Sequence, residues 1–105
     1  MNRNLIYPIN EEQVRQYEED GVVCIRGQFD QDWIDRILAA SVSYINNPCR
    51  PKYKLEDDDD PGFISGTHMS RYSDEFMKIS LNSPAAQIAA SLMRLEEVRF
   101  FFDQL

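Results

Sequence analysis

The chain has 105 residues, 43% of them apolar, and carries eighteen acidic against eleven basic side chains for a net charge of −7. The apolar share suffices for a core and excludes a disordered polyelectrolyte, and the length allows one small domain or a part of a larger one. The acidic balance excludes a duplex nucleic-acid binder, which needs a basic surface to displace counterions.

No apolar run approaches the about 20 residues of a membrane span. Met1-Asn2-Arg3-Asn4 leads into no hydrophobic secretory segment. These features suggest a cytoplasmic chain with no membrane partner.

The first helix is announced by Asn10 as cap, Gln13 three residues on in capping-box position, and Glu11 and Glu12 at the positive end of the helix dipole. Gly21 stops it in the left-handed role. Val22-Val23-Cys24-Ile25 is apolar, mostly β-branched, and bracketed by Gly21 and Gly27, the pattern of a buried strand. Cys24 then reads as a small buried hydrophobe. A second helix begins at Asp30. Trp33, Ile34, Ile37, Leu38, Ser41, Tyr44 and Ile45 recur at helical spacing until Asn46-Asn47-Pro48 ends it. Trp33 at its start reads as a packing anchor.

Residues 48–72 form a long polar loop holding three of the five prolines and two of the four glycines. Connections this long are uncommon in a compact domain. Ser73 heads a short helix with Phe76, Met77 and Ile79. Ser83-Pro84 opens another, carrying Ile88 and Leu92 one turn apart. Val98-Arg99-Phe100-Phe101-Phe102-Asp103-Gln104-Leu105 reads as a closing strand. A sheet of two strands is marginal in water, so the expectation is that further strands belong to it and that the chain is a portion of a larger domain.

The candidate chemistry is thin. The Asp57–Asp60 run with Gly62 starts like a calcium loop, but Pro61 and His68 stand where ligands are needed. Arg50, Lys52 and Lys54 are offset by the aspartates that follow and read as solvated charge. His68 is the sole histidine. One histidine builds neither a Cys2His2 zinc site nor a two-histidine, one-carboxylate iron site. Cys24 and Cys49 lack paired spacing, and a disulfide between them is not implied. Arg99, Phe101 and Asp103 share one face of the final strand, since strand side chains alternate. A charged pair interleaved with phenylalanine suits a cavity wall as well as a solvated face.

Tyr17-Glu18-Glu19-Asp20-Gly21-Val22-Val23, then Ile25-Arg26-Gly27-Gln28-Phe29-Asp30 and the helix from Trp33, resembles the opening of the phytanoyl-CoA dioxygenase family. Ser83-Pro84-Ala85-Ala86 through Met93, followed by Val98 to Leu105, resembles the helix and strand that precede the catalytic core there. The resemblance covers about residues 9–105. It implies an α+β chain that supplies N-terminal helices and two or more strands of a double-stranded β-helix. It also implies an oxidoreductase parent, a hydroxylase using Fe(II), 2-oxoglutarate and a small-molecule substrate. The family's cosubstrate lysine, His-x-Asp pair, distal histidine and arginine have no counterpart in this sequence. No metal or catalytic residue is therefore carried over, and residues 1–105 are expected to be inactive alone and to need neither cofactor. Phe101 and Asp103 are the candidate cavity-facing residues. The final strand is also a candidate for self-association. The alternative reading is a self-contained acidic α+β module that binds a protein partner.

Overall fold

The computed structural model describes residues 1–47, 53–54 and 64–105. Four helices dominate them: α1 (Glu11–Asp20), α2 (Gln31–Asn46), α3 (Asp74–Asn82) and α4 (Ala85–Leu92). A 3-10 turn, Met69–Arg71, precedes α3. β1 (Tyr53–Lys54) pairs antiparallel with β2 (Ile64–Ser65), with Tyr53 opposite Ser65 and Lys54 opposite Ile64.

Local chemistry accounts for the helix ends. Asn10 accepts the Gln13 amide at 2.9 Å while the Gln13 side chain accepts the Asn10 amide at 3.0 Å, closing both halves of a capping box. Gly21 ends α1 at φ 73° and donates to Tyr17, a conformation that costs glycine little. Asp30 caps α2 by accepting the Trp33 amide at 3.1 Å. Ser73 precedes α3 without a side-chain cap bond, and Ser83 Oγ accepts the Ala85 amide at the start of α4.

The helices pack as α1 on α4, α2 on α3, and α3 on α4. On α2, Trp33 and Tyr44 are buried while Ile34, Leu38, Val42 and Ile45 stay largely exposed. Tyr44, Met69 and Phe76 form the buried cluster, with Ala40 and Leu105 against it. Arg94, itself at φ 53°, clamps α1 to the end of α4 by donating to Glu11 at 2.8 Å and Glu18 at 2.9 Å. Both contacts raise the Arg94 pKa, and Arg94 holds the Glu11 carboxyl below its ordinary value.

A buried carboxamide fixes the N-terminal segment. Gln28, 3% exposed, accepts the amides of Ile6 and Tyr7 and donates to the Tyr7 carbonyl at 2.7 Å. It serves Ile6-Tyr7 as a neighbouring strand would. Trp33 Nε1 donates to the Asn2 carbonyl at 2.7 Å, and Asn2 in turn donates to the Gln28 carbonyl.

The expected α+β fold with strands of a double-stranded β-helix is overturned. The molecule is mostly helical, and strand structure among the described residues is confined to the two-residue pair above and a single bridge, Thr67 to Gln104. Val22–Ile25 is not a strand. It does alternate, with Val23 and Ile25 half-buried and Val22, Cys24 and Arg26 exposed, but among the described residues no segment pairs with it to form a ladder. Cys24 is accordingly an exposed free thiol rather than a buried hydrophobe. Val98–Leu105 is not a ladder strand either; among the described residues its backbone pairing is confined to residues 103–105. Cys49, Arg50, Lys52 and the run Asp57–Asp60 lie outside the described residues, as does most of the 48–72 loop.

Candidate functional site

The region with the most specific polar geometry lies where the segment 64–70 meets residues 100–105. Gly66 and Leu105 exchange both main-chain bonds, at 2.9 and 2.7 Å, and the His68 amide donates to the Asp103 carbonyl at 2.8 Å. This is an antiparallel pairing in which residues 103 and 105 turn their main-chain groups toward 66 and 68. His68 then takes φ 56°, breaks the pairing and starts the 3-10 turn.

The Asp103 carboxylate caps that turn. It accepts the Ser70 amide at 2.8 Å and the Ser70 hydroxyl at 3.1 Å. Gln104 Nε2 donates to Ser65 Oγ at 2.9 Å. The Phe102 ring lies 5.7 Å from the His68 ring, and Phe101 meets Phe102 edge-on at 5.1 Å. Gly66 has no room for a side chain. A Cβ there would stand 2.6 Å from Met69 Sδ and 2.7 Å from the Tyr44 hydroxyl.

Phe101 and Asp103 are therefore placed differently from each other. Phe101 is 84% exposed, whereas Asp103 is half-buried and engaged with Ser70. Arg99, on the same face by strand alternation, is exposed. Ser70 is the partner that sequence reasoning missed. It lies 33 residues from Asp103, and no spacing rule links a serine in a loop to a carboxylate that far along the chain.

A second concavity opens between α2 and α3, a cleft of about 770 Å³ bordered by Asp35, Arg36, Tyr44, Tyr72, Glu75 and Phe76 among others. Arg36 and Glu75 form an ion pair across it. Arg36 and, secondarily, Lys78 hold the Glu75 carboxyl below its ordinary 4.5. The Tyr44 hydroxyl is buried with no hydrogen-bond partner among the described residues.

The sequence resemblance implies iron and 2-oxoglutarate, and the described residues bear on the metal alone. Among the described residues no three His, Cys, Asp or Glu side chains converge. The sole histidine, His68, faces a phenylalanine ring, and the Asp103 carboxylate accepts two bonds from Ser70. Among the described residues no helix is long and apolar enough to cross a membrane.

No protein-family model, curated protein or solved structure matches the chain.

Proposed function

We propose that residues 1–105 are a non-catalytic N-terminal portion of a cytoplasmic Fe(II)- and 2-oxoglutarate-dependent hydroxylase of the phytanoyl-CoA dioxygenase family, acting on a small molecule. The metal and cosubstrate ligands would come from elsewhere in that enzyme. Support for this reading comes from the order of sequence features: the acidic stretch before Gly21, the helix from Trp33, the Ser83-Pro84 helix and the Val98–Leu105 segment.

One observation carries it on the geometric side. The segment that bears the family resemblance is held by Asp103 on Ser70 and by main-chain bonds to Gly66 and His68. Its aromatic part is thereby presented at a defined place on the helical body. In the proposed enzyme this portion positions that segment and contributes no metal ligand.

The coding sequence beyond Leu105 tests the assignment. A lysine followed by His-x-Asp within a few dozen codons is expected, and an open reading frame lacking both would contradict it. The purified chain is expected to release no succinate from 2-oxoglutarate with Fe(II). Tight stoichiometric iron with turnover would overturn the non-catalytic role.

The exposure of Phe100, Phe101 and Phe102 favours a second reading, an acidic module whose task is to bind a protein. A natural stop codon after Leu105 would favour that reading.

A further inference from the structure

The unpaired side of the 100–104 segment specifies its own partner. Residues 103 and 105 direct their main-chain groups toward 68 and 66, and Gln104 stands opposite Thr67 in the intervening pair without direct main-chain bonds. Strand alternation then turns the N–H and C=O groups of Phe100, Phe102 and Gln104 to the opposite edge. Among the described residues no main-chain hydrogen bond engages any of the three. The stretch from Glu97 to Leu105 contains no turn or bend and no proline or glycine to blunt it. Phe100, Phe101 and Phe102 are 45%, 84% and 44% exposed. An open, apolar edge of this kind is a template for another strand.

We infer that this edge binds a second copy of the same chain, as an antiparallel two-fold strand pair centred on Phe101. This goes beyond the proposed function and does not depend on it. Even-numbered residues face outward, and they exchange bonds with one another whether a two-fold axis passes an even or an odd residue. Centred on Phe102 the pair would set Phe101 opposite Asp103 and Arg99 opposite Leu105, and centred on Phe100 it would set Glu97 against Asp103, so neither brings opposite charges together. A centre at Arg99 would set Arg99 against Arg99, and a centre at Asp103 would set Asp103 against Asp103. Like charges directly opposite oppose pairing.

A centre at Phe101 instead pairs Phe100 with Phe102 of the other copy through two main-chain bonds on each side of the axis. It also sets Arg99 opposite Asp103 twice. Arg99 is exposed and bears no ion pair among the described residues. The Asp103 carboxylate accepts two bonds from Ser70 and retains lone pairs for a guanidinium. This register satisfies the outward backbone groups and also complements the charges of Arg99 and Asp103, which is why the occupant is a copy of this chain.

Light scattering and analytical ultracentrifugation of the full chain are expected to show a concentration-dependent dimer. Arg99→Glu should raise its dissociation constant about tenfold or more, because two attractive cross-strand pairs become repulsive. Phe102→Pro removes an outward N–H and should abolish the dimer, while an unchanged helical circular-dichroism spectrum verifies that the monomer is folded.

Register is read by oxidative cross-linking in a Cys24→Ala, Cys49→Ala background. Phe101→Cys should form a disulfide dimer. Phe100→Cys and Phe102→Cys should not, since each sits beyond the about 7 Å Cα separation a disulfide spans from its own copy. A chain that stays monomeric to its solubility limit overturns the inference. So does a dimer that survives both Arg99→Glu and Phe102→Pro, or one that cross-links best at position 100 or 102.

Discussion

Two non-helical segments of this chain face the same problem and meet it differently. At one end, Ile6-Tyr7 has its main-chain groups served by the buried Gln28 carboxamide, which takes two amides and returns one donor. At the other end, Asp103 and Leu105 are bonded along one edge, and no main-chain bond among the described residues engages Phe100, Phe102 or Gln104. The contrast shows that a helical protein can close an extended segment with a single side chain. Where it does not, the open groups mark an interaction surface, because unpaired main-chain polar groups that become buried need partners.

The closed end is expected to be the more sensitive to mutation. Trp33→Ala removes a large side chain that is only 1% exposed, and its bond to Asn2, and should cost ~3–5 kcal/mol in urea unfolding. A loss below ~1 kcal/mol would mean that the Trp33 site is not part of the folding core. Gln28→Ala strands two amides and a carbonyl in a buried place, with an expected loss of ~2–3 kcal/mol. A neutral outcome would deny the carboxamide its role as a surrogate strand.

The seat of the open segment gives smaller effects. Gly66→Ala drives a methyl into Met69 and Tyr44 and should cost ~1–3 kcal/mol by overpacking. It should also weaken the grip on residues 103–105, seen as faster amide exchange at Leu105. Tyr44→Phe removes a buried hydroxyl that has no partner among the described residues. It should leave stability unchanged or raise it by up to about 1 kcal/mol. A clear destabilisation would reveal a hydrogen bond to that hydroxyl.

The smallest effect is electrostatic and lies on the cleft between α2 and α3. The Glu75 carboxyl is held below its ordinary 4.5 by Arg36 and then Lys78, so the folded chain binds this proton less readily than the unfolded one. Its contribution is complete above about pH 4.5, the unfolded-state value, and disappears as pH falls through the lowered folded value. Melting temperature should therefore drop on acidification, and Glu75→Gln should flatten that drop slightly. These side chains are partly exposed, and solvent screening keeps the effect modest. An identical acid limb in the variant would remove the Arg36–Glu75 pair from the stability account.

Much of the helical frame was legible from residues in direct sequence contact. Asn10 with Gln13, Gly21, and Asp30 ahead of Trp33 act within a turn of themselves, so their roles could be read locally. The two apolar runs could not be read that way. Val22–Ile25 and Val98–Leu105 have strand-like composition, but a strand exists only when a second segment lies alongside, and composition does not say whether one does. Gly21 and Gly27 both adopt φ 73° and frame the first run between turns, while the second, among the described residues, has backbone pairing only at residues 103–105.

At the candidate site, alternation alone put Arg99, Phe101 and Asp103 on one face as an expectation, and the structure leaves Arg99 and Phe101 exposed while Asp103 is half-buried. The partnership of Asp103 with Ser70, and the edge left open by Phe102 and Gln104, required the three-dimensional path of residues 64–70. The charge complementarity of Arg99 and Asp103 was present in the sequence, but it acquires meaning only once the outward-facing edge is known.

Residue-resolved amide hydrogen exchange, followed from dilute to concentrated solution, tests the contrast between closed and open edges most directly. Gly66, His68 and Leu105 amides should be protected at every concentration, whereas Phe100, Phe102 and Gln104 should exchange freely when dilute and gain protection together on concentration. Protection of Phe102 and Gln104 in the dilute monomer, or its absence throughout the accessible range, would contradict the account.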